Sequence, residues 1–342
     1  MRTFKKLVLF VLANLLVAWS MTLTLAQPSA VKVLLKEAKG GTYDTLFLGQ
    51  SHGTMAWNPY IYSSEMGHEA LNLNVRLMPL EDVYYILLES DKDRQYDTVI
   101  LDIDPSYWSD VFTQVGGMDT NLFPHLTGVR RISYLTNVLW DQQWNMALFD
   151  YQLTRTGILK SANVLKSKLN LPYMTASVSS LDATYEVIGL TTKYRNAGRG
   201  FLYGYHESGI AWPTWKFDAS SVREEKIATF EKMVRYCRER NIELVCVQSA
   251  LPPYRLIHEN MDEVHDYFSQ LCGAYGVPFI DMNYARGLSR TDGDYVDLDG
   301  HMMGQLADRH TKLLCDILKA EDQEQFFFKT YDEVLEGLNC DE

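Results

Sequence analysis

The sequence predicts an α/β fold in three layers, with helices on both faces of a five-stranded parallel sheet. Short apolar runs such as Thr45–Leu48 and residues 97–104 and 242–248 are bounded by turn residues and lack strict alternation, as strands buried on both faces do. Segments with helical spacing separate them, and strands that alternate with helices build parallel sheets. A balance of 46% hydrophobic and 22% charged residues over 342 positions is that of a folded chain with ample core.

Arg2, Lys5 and Lys6 precede an apolar run over residues 7–26, broken only by mild residues such as Asn14 and Ser20. A positive start before a run of bilayer length fits a signal peptide cleaved near Ala26 or an uncleaved membrane anchor, and the length favours the anchor. In both cases the positive flank stays inside and the remaining chain lies outside the membrane. Residues 1–27 are assigned to this segment, and residues 28–42 to a Lys-containing linker with the apolar spacing of a juxtamembrane helix. The folded domain occupies residues 43–320 with an insertion at about 105–220, and residues 321–342 form an acidic tail with no assigned chemistry.

The first strand, Thr45–Leu48, stops at Gly49 and delivers Ser51 into a turn. Residues 70–75 alternate as a second strand, and Pro79 opens a helix over residues 80–90 with Glu81 and Asp82 in its first turn, where negative charge is favoured. Residues 97–104 form the third strand. The pattern then blurs: residues 131–169 read as largely helical, residues 185–215 are rich in Gly and aromatics, and the whole insertion is expected to pack over the active edge of the sheet. Ser221 as N-cap opens a helix to about Arg240, followed by a fourth strand over 242–248 and a helix over 259–275. A fifth strand over 277–281 and a polar loop over 290–301 lead into a final helix over 302–319. Ser51 and His301 thus both lie beyond carboxyl ends of strands, the edge where open α/β sheets bind ligands.

A formal charge of −12 argues against nucleic acid, whose phosphates need clustered Lys and Arg. A flavodoxin-like sheet could instead bind a nucleotide, but no Gly-rich phosphate loop follows the first strand. Cys237, Cys246, Cys272, Cys315 and Cys340 show neither a CxxC pair nor metal-ligand spacing, and Cys237 and Cys246 read as small core residues. His206, His258 and His265 read as surface or helix residues. Trp57, Trp108, Trp212 and Trp215 have the flat faces that stack on sugars, with Trp108 the foremost candidate, although aromatics more often fill cores.

A serine hydroxyl is a weak nucleophile and needs a base in hydrogen-bond reach, itself oriented by a third group. Ser51, His301 and either Asp299 or Asp297 supply those three parts. His52 is read as structural, hydrogen-bonded to backbone, because neighbouring residues on a turn point apart.

On these residues the chain resembles the SGNH/GDSL hydrolases, in particular their membrane-anchored cell-envelope branch. Leu48-Gly-Gln-Ser-His-Gly53 with Asn58-Pro59 stands where that branch has Leu-Gly-Ser-Ser-His and a later Asn-Pro. Asn72-Leu-Asn74, Pro79-Leu80, Leu101-Asp102 and the Asp299/His301 pair fall on its later motifs, so the resemblance covers roughly residues 43–110 and 221–320. It implies an SGNH-like αβα sandwich and a serine esterase or O-acyltransferase working through an acyl-serine, with no metal or organic cofactor. The implied substrate is an acylated polysaccharide or other envelope ester, and a membrane acyltransferase complex is an implied partner. In the related teichoic acid D-alanylation proteins the same fold serves binding or assembly, which is the alternative. Asp299, two residues before His301, matches the spacing of alginate-type O-acetylation proteins, whereas the usual three-residue spacing falls on Leu298. The family's oxyanion glycine is Asn74 here, and its third-block asparagine has only Asp104 nearby. The resemblance therefore assigns the oxyanion role to Ser51 N–H and Asn74, with Asn72 and Trp108 as further substrate-facing candidates.

Overall fold

Successive strand residues point into two separate cores. In the computed structural model, residues 2–25, 29–93, 95–109, 122–139, 161–169, 174, 193–206 and 213–339 are described. The strands are β1 (Thr45–Leu48), β2 (Ala70–Asn72), β3 (Thr98–Asp102), β4 (Tyr194–Gly198), β5 (Phe201–Gly204), β6 (Glu243–Gln248) and β7 (Phe279–Asp281). Five form one sheet in the order β2-β1-β3-β6-β7, parallel throughout, and β4 and β5 form a separate antiparallel hairpin. Leu46, Leu48, Val99, Leu101, Leu244 and Cys246 enter one core; Phe47, Ile100, Val245, Val247 and Ile280 enter the other. A sheet buried on both faces explains why its strands read as unbroken apolar runs.

The helices are α1 (Arg2–Leu25), α2 (Ala30–Gly40), α3 (Ser51–Ala56), α4 (Pro59–Met66), α5 (Leu80–Ser90), α6 (Gly128–Tyr134), α7 (Ser161–Lys168) and α8 (Glu224–Glu239). They are followed by α9 (Pro253–His258), α10 (Met261–Ala274), α11 (Gly304–Lys319) and α12 (Tyr331–Asn339). Helices α2, α5, α8 and α10 supply the first core and α4 and α11 the second, so the sheet is covered on both sides. The helix over 80–90 falls where its Pro and acidic first turn put it.

Other elements differ from expectation for local reasons. Ser221 is not an N-cap: Arg223 stands at that position of α8, and Ser221 lies in a 3-10 turn capped by Asp218. The helix expected over 259–275 is α10, which starts only at Met261, after a separate short helix, α9. There Glu259 accepts from Trp215 N–H, while Asn260 accepts from Phe217 N–H and donates to Phe217 O, so the insertion holds the chain out of helical register. The expected linker holds α2, whose Val31, Val33, Leu34, Leu35 and Ala38 are buried in the first core. The acidic tail folds back as α12, with Val334 in the same core and Tyr331 Oη donating to Leu256 O.

Within α1 the described side chains span residues 3–17 and 20, many of them exposed and apolar, such as Phe4, Leu9 and Phe10. Among the described residues no helix is long and apolar enough to cross a membrane. Of the insertion, the β4–β5 hairpin lies against β2, α3 and α11. Asn72 N–H donates to Arg199 O (3.0 Å), and at Gly200 (φ +77°) any Cβ would collide with the Asn72 carbonyl. Cys237, Cys246, Cys272 and Cys315 are buried free thiols, while Cys340 and Trp212 lie outside the described residues.

Candidate active site

The carboxyl edge of the sheet gathers Ser51 after β1, Asp102 and Asp104 at and after β3, Ser249 and Arg255 after β6, and the loop carrying Asp297, Asp299 and His301. Gly49 makes the turn into α3 at φ +151°, where an added Cβ would lie 2.7 Å from both Asn74 Oδ1 and the Asp102 carbonyl. That close approach fixes glycine there and places Ser51 as the first residue of α3.

Asn72 holds this turn from below. Its Nδ2 donates to Gly53 O and Trp57 O, both at 2.8 Å, and its Oδ1 accepts from Asn74 N–H and Asn74 Nδ2. The main-chain N–H of Asn74 and one hydrogen of its side-chain amide thus go to Asn72 rather than to an oxyanion. The first N–H groups of α3, beginning with Ser51, have no intrahelical acceptor and remain as donors. Asp102 lies beneath the same turn, accepting from Trp57 Nε1 (3.0 Å), Ser249 Oγ (2.7 Å) and Ser249 N–H (3.1 Å). Burial lifts its carboxyl to about 6 despite those donors and the nearby His52 charge.

The loop before α11 closes on itself. Val296 N–H donates to His301 O at 2.7 Å, and a bridge joins Tyr295 to Met302. Across this turn Asp297 reaches back over four residues, and its Oδ1 and Oδ2 lie 2.8 and 3.0 Å from His301 Nδ1. A carboxylate only accepts, so Nδ1 carries the proton and Nε2 is left as the basic nitrogen. Burial would raise Asp297, but the hydrogen bond and charge of His301 bring it below the usual carboxylate range. Asp297 thus takes the orienting position given to Asp299 on spacing, since Asp299 Oδ2 is 3.9 Å from Nδ1.

Asp299 faces other partners. Arg255, buried and paired with Glu259 (Nη2–Oε2 2.7 Å), donates from Nη1 to Asp299 O and lies 3.6 Å from Oδ1. His52 Nε2 is 3.7 Å from Asp299 Oδ2, and His52 Nδ1 is 3.2 Å from Asp104 Oδ2. His52 is therefore no backbone-bonded spacer; it is a buried imidazole between two carboxylates, its ring edge-on to His301 with centroids 5.0 Å apart. Burial opposes charging it, yet Asp104 and then Asp299 prevail and raise it to about 9. Asp299 is lowered in turn: its burial is outweighed by His52, His301 and Arg255.

Ligand atoms of His52, Asp299 and His301 lie within 4.8 Å of one another, close enough for a cation to bridge. Arg255 beside Asp299 and Asp297 on His301 Nδ1 already balance these charges, so the group reads as an ion-pair network. Behind His52 a cavity with room for about one water is lined by His52, Asp104, Gln248, Ser249 and Arg255. Tyr194 from β4 stands by Asp297 and Asp299, its phenol pushed up to about 12 by burial and their charges against the opposing Arg76. Tyr107 shows the same influences, raised by burial, Asp104 and Asp299 and opposed by Arg76.

Trp108 is core rather than cleft, buried between Phe230 and Phe268 with ring centroids 5.7 and 5.1 Å away. Trp57 is buried too, stacked on Phe47 and tilted against the ring of His310. His258 stacks on Tyr254 at the surface, and His265 on α10 pairs with Asp281. Sequence reasoning missed Arg255 and the pairing of His52 with Asp104 and Asp299; the available signal was position, since His52, Asp102 and Asp104 stand at or just beyond the carboxyl end of a strand. Among the described residues no hydrogen bond joins Ser51 Oγ to His301, whose Nδ1 is held by Asp297, so the two are brought to one edge without being linked. Set beside known proteins, the chain matches no family model and no curated relative.

Proposed function

We propose that the chain is a serine esterase or O-acyltransferase of SGNH type, acting on acyl esters of a cell-envelope glycan. The observation that carries this reading is His301, its Nδ1 held by Asp297 at 2.8 Å and its Nε2 left basic, at the sheet edge that also presents Ser51. Ser51 Oγ attacks the ester carbonyl as His301 Nε2 takes its proton, and Asp297 stabilises the resulting imidazolium. The negative charge on the tetrahedral oxygen meets Ser51 N–H and its neighbours at the start of α3. Collapse breaks the ester C–O bond, His301 returns the proton to the leaving alcohol, and an acyl-serine remains. Water then gives hydrolysis, or a sugar hydroxyl gives transfer. Tyr194 and Arg76, half-buried near the acid cluster, offer polar groups to a hydroxyl-rich acceptor. In this reading α1, with Arg2, Lys5 and Lys6 at its start, anchors the chain, and the catalytic domain is extracytoplasmic.

A fluorophosphonate probe tests it. Labelling of the wild type, abolished in Ser51→Ala and slowed on the order of a thousandfold or more in His301→Ala and Asp297→Asn, supports catalysis. The unlinked Ser51 hydroxyl and the committed donors of Asn74 favour a second reading, a binding or assembly protein that assists acyl transfer in a membrane complex. A folded protein that takes no label supports that alternative.

A further inference from the structure

His52 is bound up with the site more tightly than its place beside Ser51 requires. Its ring is buried, each nitrogen faces a carboxylate, Nδ1 towards Asp104 at 3.2 Å and Nε2 towards Asp299 at 3.7 Å, and its edge meets the ring of His301. Gly300, at φ +123°, is the residue that lets the loop close over it, since a Cβ there would lie 3.4 Å from Nε2 and 2.9 Å from Leu251. Among the described residues no group stands at ordinary hydrogen-bond distance from Nε2, and Asp299 at 3.7 Å is the acceptor it faces.

The difficulty such a cation solves is visible in the distances. His301 Nδ1 has Asp297 at 2.8 Å and Asp299 at 3.9 Å, two carboxylates competing for one N–H. A base shared between two acids has no single orientation, and the second negative charge favours its protonated, non-basic form. We propose that His52 is a positioning residue of this site: held as a cation between Asp104 and Asp299, it neutralises Asp299 beside His301 and leaves Asp297 as the one carboxylate that orients the base. This role rests on the serine-enzyme reading above. His52 is faced by Asp104 and Asp102 from the β3 end, by Asp299 and His301 from the loop before α11, and by Arg255 from α9. His301 is faced by Asp297, Asp299 and His52, with Tyr194 and Arg76 beyond them from the open side.

Two measurements on the full-length chain test the proposal. In nitrogen-15 NMR of histidine-labelled protein, both His52 ring nitrogens stay protonated at pH 7.5, with a midpoint about 9 that falls by about one unit or more in Asp299→Asn. A His52 that is neutral at pH 7.5 overturns the idea. The pH profile of Ser51 labelling supplies the functional arm. His52→Gln takes one of two cations, His52 and Arg255, away from Asp299 and moves the acid limb to higher pH, while Asp299→Asn removes the second carboxylate beside His301, with His52 still paired to Asp104, and moves it to lower pH. Opposite shifts distinguish a charge role from loss of packing, which would slow both variants without moving their limbs in opposite senses. Should His52→Gln fail to fold, the Asp299→Asn limb and the wild-type titration still decide. Labelling with unmoved limbs overturns the His52 role alone; no labelling of the wild type overturns the serine-enzyme reading and, with it, the role built on it.

Discussion

A buried histidine lies at each end of α3, and one is held charged while the other is held neutral. At the start of the helix His52 lies among carboxylates and is raised to about 9; beyond its end His310 is lowered to about 3, first by burial. His310 Nδ1–H donates to Ala56 O at 3.3 Å, its Nε2 accepts from Ala250 N–H at 3.2 Å, and its ring lies 4.3 Å from that of Trp57. Both nitrogens are thus satisfied by neutral groups, and the nearby charge, Arg290, has the sign that opposes an imidazolium. Burial sets the default for a histidine, which is neutrality, and only paired carboxylates reverse it.

The largest effect that would break this comparison is acidic. Unfolded, His310 binds a proton from about pH 6.5 downward; folded, it refuses one until about pH 3. Its lowered value makes the contribution complete above 6.5 and lost as pH falls, by up to about 5 kcal/mol. In urea denaturation at pH 6.5 and 5, His310→Gln flattens that slope relative to wild type; an unchanged slope means His310 is not held neutral. Next comes Trp57→Ala, which opens a cavity beside His310 and strips a donor from Asp102, costing about 3–5 kcal/mol in the same assay at neutral pH. At the other end of α3 the sign reverses. His52 has a raised value, so its stabilisation is complete below pH 6.5 and lost as pH rises through about 9, by about 3 kcal/mol in all. His52→Gln should show no such alkaline loss, and a parallel decline in both proteins sinks the assignment. The smallest effect belongs to Gly300→Ala, which forces a left-handed φ on alanine and presses Leu251 and His52; about 1–3 kcal/mol is expected by thermal or urea unfolding.

These contrasts also mark what the sequence could and could not disclose. The helix over 80–90 announced itself through Pro79 and its acidic first turn, and β1, β3 and β6 through short apolar runs, because those signals are local. Ser51 and His301 were legible for a similar reason, each standing where a strand delivers the chain to the sheet edge. Spacing pointed to Asp299 over Asp297, since the choice depends on how five residues fold into a closed turn stapled by Val296 and His301. The charge of His52 was hidden because its partners, Asp104 and Asp299, are far apart in sequence and meet only through the sheet. Trp108 and α2 were misplaced by the same blindness: an aromatic or an amphipathic stretch does not say which neighbour will cover it. The tail beyond residue 320 read only as acidic, yet its apolar positions dock as α12.

The hairpin over β2 carries one more consequence. An outermost parallel strand presents unpaired amides that can template a second chain, a route to misassembly that folded proteins suppress by covering or shortening the strand. Strand β2 is three residues long, and the turn at Arg199 and Gly200 caps its outer side by accepting the Asn72 N–H. The same asparagine whose amide steadies the Ser51 turn therefore has its backbone shielded from other copies of the chain. Bulk introduced at Gly200 would disturb both at once, loosening the Ser51 turn and leaving a sticky border through which molecules could self-associate.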